Sequence, residues 1–119
     1  MDYADYQHLT FDLKPNGVLL VTINRPHVLN ATNARLHWEL TQVWGTVDLD
    51  PRARVVLVTG AGKAFSAGGD LELVEDIATN PEAAARTMRE AADLVYNIIN
   101  LDKPVVSAIN GVAVGAGLV

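Results

Sequence analysis

Lys63-Ala64-Phe65-Ser66-Ala67-Gly68-Gly69-Asp70-Leu71 follows the apolar run Val55-Val56-Leu57-Val58 and sets two adjacent glycines ahead of an acidic residue. The run, bounded by Arg54 and by Thr59-Gly60, reads as a buried strand rather than a surface strand of alternating polarity. Small residues after such a strand let the backbone approach a ligand closely, and Asp70 can cap a short helix starting near Leu71. A second stretch repeats the plan. Residues 105–109 read as another buried strand, Asn110-Gly111 as a turn, and Val112-Ala113-Val114-Gly115-Ala116-Gly117 as a small-residue segment opening a helix. A helix start leaves N–H groups unpaired at the positive end of a dipole, and two such termini facing one cleft form a two-donor oxyanion hole.

The flanking sequence supplies the frame. Residues 9–13 alternate loosely, Pro15-Asn16-Gly17 is turn chemistry, and residues 18–23 are a β-branched run, together a hairpin. Asn24-Arg25-Pro26-His27 breaks the second strand, and Ala31-Thr32-Asn33 offers helix caps. Leu36, Leu40, Val43, Trp44 and Val47 then recur at helical spacing up to Asp50-Pro51. Pro81 suits the first turn of a longer helix reaching about Asn100, with Ala84, Met88, Ala91, Leu94, Val95 and Ile98 on one side, and Lys103-Pro104 ends it. The order ββαβααβα implies an α/β layer architecture without repeat, linker or second domain, and an end at apolar Val119 reads as the amino-terminal part of one larger domain.

Bulk properties narrow the function. With 119 residues, half of them hydrophobic, the chain can build a core. A net charge of −5 without a basic patch argues against nucleic acid as a partner, though a few placed N–H groups suffice for a small anionic ligand. The absence of cysteine excludes a disulfide framework and a thiolate site, and the acidic start lacks the features of a secretory signal, so a cytoplasmic protein is expected. The apolar residues 105–119 are too few and too interrupted for a membrane span.

In these motifs the chain resembles the crotonase, or enoyl-CoA hydratase/isomerase, family. Four pieces in this order carry the resemblance: Asn24-Arg25-Pro26 with Leu29-Asn30-Ala31, residues 63–71, Lys103-Pro104-Val105-Val106, and residues 110–117. The resemblance implies a spiral of ββα units, here truncated before the carboxyl-terminal helices. It implies an acyl-CoA substrate whose thioester enolate is stabilised by the backbone N–H groups of Gly69 and Ala116. It also implies that Ala67, Gly68, Asp70 and Leu71 line the substrate, while the loop carrying His27 and Leu29 approaches the coenzyme A phosphates. His27 stands where a Lys is frequent, so weaker or pH-dependent phosphate contact is expected there. No separate cofactor is implied, because coenzyme A enters as part of the substrate, and a homotrimer or hexamer is the expected assembly of the complete protein.

One departure bears on the reaction. Hydratases of the family carry Glu two residues after the last Gly of the second segment, where this chain has Val119. Val holds no proton, so isomerase-like or hydrolase-like chemistry, with a carboxylate from a later segment, is favoured over hydration, and the chain alone is expected to be inactive. A non-catalytic CoA-binding fragment or pseudoenzyme is the alternative. Gly111-x-x-x-Gly115-x-Gly117 also approaches a dinucleotide fingerprint, leaving a Rossmann-type NAD(P)-dependent reductase as a lesser alternative. Gly60-Ala61-Gly62-Lys63 fails the phosphate-loop pattern at Val58 and Ala64. His8, His27 and His37 lack metal-ligand spacing, Glu72, Glu75 and Asp76 read as dipole-complementing carboxylates, and Trp38 and Trp44 read as packing residues.

Overall fold

Gly17, at φ +88°, turns the chain between β1 (Leu9–Leu13) and β2 (Val18–Ile23), which pair antiparallel from Leu9 opposite Ile23 to Leu13 opposite Leu19. The computed structural model describes residues 1–119. β2 runs parallel to β3 (Val55–Gly60), and β3 runs parallel to β5 (Val105–Ser107), giving a four-stranded sheet in the order β1-β2-β3-β5. Leu19, Val21 and Ile23 of β2 and Val56 and Val58 of β3 point to one buried face. Between them Leu20 and Leu57 are only half-buried, so β3 does alternate, in contrast to the expectation of a strand covered on both sides. β5 departs further: it spans three residues rather than five, sits at the sheet edge, and leaves Val106 exposed.

α1 (Ala34–Asp48) covers the buried face because Leu36, Val43, Trp44 and Val47 recur along one side of it. Asn33 caps it, accepting the Leu36 N–H at 2.8 Å. At its other end the Lys103 ammonium donates to the carbonyls of Val47 and Asp50, each at 2.6 Å. That contact satisfies carbonyls the helix leaves free and brings a positive charge to the negative end of the dipole. Glu39 is fully buried on α1, yet its carboxylate accepts the N–H groups of Gln7 and His8 and the Arg35 Nε–H, at 2.6, 2.9 and 2.7 Å. A buried charge with three donors is tolerable, and this one ties the amino-terminal segment to the helix layer.

α2 (Leu71–Thr79) and α3 (Pro81–Ile99) follow, capped by Asp70 and Asn80 with Pro81 at the first helical position. The stripe of α3 is rotated from its sequence-based placement. Ala83 and Thr87 are buried, whereas Met88 and Val95 are 61% and 46% exposed. Polar links set the rotation. His37 Nδ1 lies 2.8 Å from the Glu90 carboxylate, Thr41 Oγ1 donates to the Glu90 carbonyl at 3.2 Å, and the Asn97 amide donates to the Thr41 carbonyl at 3.0 Å. No helix is long and apolar enough to cross a membrane.

Between α1 and β3, Asp50 accepts the Tyr3 hydroxyl at 2.8 Å and is gripped by Arg52 through Nε and Nη2 at 2.9 and 3.0 Å. The Arg52 guanidinium, then the Tyr3 hydroxyl, hold this carboxyl well below the usual range, outweighing the opposing effect of burial. A folded-state pKa below the unfolded value means the contribution is fully present above about pH 4 and is lost as pH falls toward the folded value. Asp50→Asn is therefore expected to destabilise the protein at pH 7 by about 1–3 kcal/mol in urea unfolding, with the gap to wild type closing as pH falls from 4 to 2.

Candidate functional site

The two glycine segments meet backbone to backbone. Residues read as loops form a second, two-stranded sheet, β4 (Ala64–Ser66) parallel to β6 (Val112–Ala113), with Ala64 opposite Val112 and Ser66 opposite Ala113. Glycine permits the approach. A Cβ on Gly111 would overlap the Lys63 carbonyl oxygen, and one on Gly117 would lie 2.6 Å from the Ser66 Cβ and 2.8 Å from its Oγ. The Val114 N–H then donates to the Ser66 carbonyl at 3.2 Å, and Gly115 to Gly117 form a 3-10 turn instead of the expected helix start. Gly111 thus leads into a strand, which removes the strand, glycine turn and helix order that a dinucleotide fingerprint requires.

The first donor is positioned by a bridge to a third segment. Thr32 pairs with Gly69: its N–H donates to the Gly68 carbonyl at 2.7 Å, and its carbonyl accepts the Asp70 N–H at 2.9 Å. Ala67 donates to the Leu29 carbonyl at 3.0 Å and Gly68, at φ +88°, to the Ser66 hydroxyl at 3.2 Å. Every N–H from Ala67 to Asp70 is engaged except that of Gly69. On the partner segment the N–H groups of Val114, Gly117 and Leu118 are engaged and those of Gly115 and Ala116 are not. A Cβ built on Gly68 would lie 3.6 Å from the Ala116 nitrogen, so the free donors belong to directly apposed stretches.

The other residues expected at the site take distinct places. Gly68 is buried and Ala67 half-buried between the segments, while Leu71 is 88% exposed at the start of α2. The Asp70 carboxylate accepts the Leu73 N–H at 2.9 Å and lies 3.5 Å from Arg25, so it acts within the protein. His27 is exposed in a 3-10 turn spanning Pro26–Val28, and Leu29, next in the chain, is left-handed at φ 54°. An apolar cavity of about 310 Å³ adjoins the second segment. Ala116, Gly117 and Val119 line it together with Leu40, Trp44 and Phe65, and none of its 15 lining residues carries a carboxylate or an imidazole. No group of three or more His, Cys, Asp or Glu side chains converges to hold a metal ion.

Three structural residues had no assigned role in the motif reading. Asn30, fully buried and left-handed at φ 55°, donates to the carbonyls of Ala61 and Ala64 at 2.9 and 2.8 Å and accepts the Arg25 N–H at 2.8 Å. Ser66 donates its hydroxyl to the Asn30 carbonyl at 2.9 Å. Asn110 donates to the carbonyls of Gly60 and Gly62 at 2.9 and 3.0 Å and accepts the Gly60 N–H at 3.1 Å. Both asparagines stand inside motifs noted in the sequence, where a left-handed or turn position with an amide side chain was the available signal. Asn30→Ala is expected to cost about 2–4 kcal/mol in urea unfolding, since it strands buried backbone groups and places Ala at positive φ. Asn30→Asp, which keeps the acceptor for the Arg25 N–H but sets a buried carboxylate oxygen against the carbonyls of Ala61 and Ala64, should cost at least as much.

Comparison with known proteins bears on the family and the fold. A family model described as "Enoyl-CoA hydratase/isomerase" matches residues 13–119. Over 103 residues the chain is 40% identical to 1,2-epoxyphenylacetyl-CoA isomerase of Escherichia coli, covering 85% of this chain and 39% of that protein. It is 36% identical over 104 residues to (E)-benzylidenesuccinyl-CoA hydratase of Thauera aromatica, covering 87% and 40%. The crystal structure of an enoyl-CoA hydratase/isomerase from Mycobacterium paratuberculosis superposes with a TM-score of 0.88 at 36% identity, over 92% of this chain and 44% of that one. The chain spans about two fifths of the length of the curated relatives it matches.

Proposed function

Because the chain belongs to the enoyl-CoA hydratase/isomerase family, we propose that the full-length protein binds an acyl-CoA thioester with its carbonyl oxygen between the N–H groups of Gly69 and Ala116. The observation that carries this reading is that these two donors lie without acceptors on apposed segments, Gly69 between engaged neighbours and Ala116 beside the equally free N–H of Gly115. Removing a proton from the carbon next to a thioester leaves an enolate whose charge collects on the oxygen. Two fixed donors favour that charged state over the neutral carbonyl, and they do so without reorganising. Main-chain donors need no particular side chain, so Ala at position 116 serves as well as Gly.

Proton transfer is the part this chain leaves open. Val119 is 93% exposed at the cavity rim and holds no proton, and no lining residue substitutes for it. That supports isomerase-like or hydrolase-like chemistry over hydration, with the carboxylate on another segment of the full-length protein. Among the relatives, one is named as an isomerase and another as a hydratase, so kinship alone favours neither reaction. A pseudoenzyme that binds acyl-CoA without turning it over is the second reading, motivated by the same lack of a proton carrier.

Ala116→Pro removes one donor while leaving the neighbouring hydrogen bonds their atoms. It is expected to lower kcat by about 10²–10³-fold on the acyl-CoA substrate with a much smaller change in KM. An unchanged kcat would remove Ala116 from the reaction. In an absorbance assay with an enoyl-CoA, the unaltered protein should hydrate slowly and Val119→Glu should raise hydration by about 10²-fold. Robust hydration by the unaltered protein would overturn the argument from Val119.

A further inference from the structure

We infer that Arg25 is a positioning residue for the Gly69 donor, acting through Thr32 and Asp70 rather than by touching substrate. This rests on the donor role proposed for Gly69. Gly69 is held only through its neighbours: the bridge from Thr32 engages the Gly68 carbonyl on one side and the Asp70 N–H on the other. Arg25 reaches both halves of that bridge. Its Nη1 donates to the carbonyl of Ala31, the residue before Thr32, and lies 3.5 Å from the carboxylate of Asp70, the residue after Gly69. One guanidinium therefore ties the strand that supplies the bridge to the loop that carries the donor.

The rest of the surroundings fix the guanidinium in turn. The Arg25 N–H donates to the Asn30 side chain at 2.8 Å, and the Arg25 carbonyl accepts the N–H groups of Val28 and Asn30 at 3.1 and 2.9 Å, closing the turn from which the side chain departs. The side chain is 12% exposed and Asp70 21%, so the pair is shielded from the screening that weakens surface pairs. The Arg25 Nε–H is buried without a partner, so the guanidinium is held through Nη1 alone. Asp70 meanwhile keeps its other oxygen on the Leu73 N–H, so Arg25 also fixes the start of α2 relative to Thr32. Both contacts run through one nitrogen, Nη1, so a Lys ammonium keeps a donor for them but lacks the plane that fixes the direction of the guanidinium.

Infrared spectroscopy of butyryl-CoA labelled with ¹³C at the thioester carbonyl, bound to the full-length protein, reads donor alignment directly. Hydrogen bonds from Gly69 and Ala116 lower the carbonyl frequency on binding, and Ala116→Pro serves as the control that loses part of that shift. Arg25→Met is expected to abolish at least about half of the shift while leaving the butyryl-CoA Kd within about threefold, with Arg25→Lys intermediate. Asp70→Asn, which keeps the helix cap but removes the charge that faces Arg25, should also reduce the shift, and it stands in if Arg25→Met does not fold. A full shift in folded Arg25→Met or in Asp70→Asn, with the shift reduced in Ala116→Pro, would overturn the positioning role alone. No shift in the unaltered protein would instead overturn the donor reading beneath it.

Discussion

Backbone lies against backbone where residues 63–66 meet residues 111–117, and the remainder of the site takes its coordinates from that contact. Strands in one sheet normally leave room for side chains on either face, but here carbonyl oxygens and a Ser66 side chain occupy the space a Cβ would need at Gly111 and Gly117. The approach sets Gly68 against residues 114–116 and so puts the free N–H groups of Gly69 and Ala116 on facing stretches. The four-stranded sheet and α1 serve as its foundation. β3 feeds directly into the first segment and β5 into the second, and their parallel pairing sends both segments out of the same sheet end.

Such an approach brings many backbone polar groups into a small volume, and each needs a partner. Side-chain amides supply them. Asn30 and Asn110 converge on the Ala64 carbonyl, at 2.8 and 3.2 Å, and between them also hold the carbonyls of Gly60, Ala61 and Gly62. Ser66 links this group to the Asn30 carbonyl and to the Gly68 N–H. Once those bonds and the Thr32 bridge are made, the N–H groups of Gly69, Gly115 and Ala116 remain without acceptors.

Hydrophobic periodicity made α1 legible, because Leu36, Val43, Trp44 and Val47 can bury themselves together only on one helix face. The hairpin was legible from the turn residues 15–17 and the β-branched run after them, the start of α2 from the cap Asp70, and that of α3 from Pro81. β4 and β6 were not: strands of three and two residues that pair through close backbone contact have no alternating pattern to display, and the glycines around them pointed to a loop at the first and a helix start at the second. The rotation of α3 was hidden as well. Its apolar residues allow a stripe through Met88 and Val95, but the pairing of Glu90 and Asn97 with His37 and Thr41 depends on which helix lies opposite. At the site, it was the family resemblance that pointed to Gly69 and Ala116, whereas the guanidinium of Arg25, 45 residues before Asp70 in the chain, was visible only once the segments were assembled.

The division of labour within the chain is then clear in physical terms. It leaves the Gly69 and Ala116 N–H groups without acceptors on apposed stretches beside an apolar cavity, and it contributes no acidic or basic side chain to that cavity. The central claim is that one thioester oxygen takes both donors at once. A crystal structure of the full-length protein with a non-reactive acyl-CoA tests it most directly. The account predicts the thioester oxygen within about 3 Å of both the Gly69 and the Ala116 nitrogens, and a thioester oxygen turned to solvent or to other groups, with either N–H left free, would contradict it.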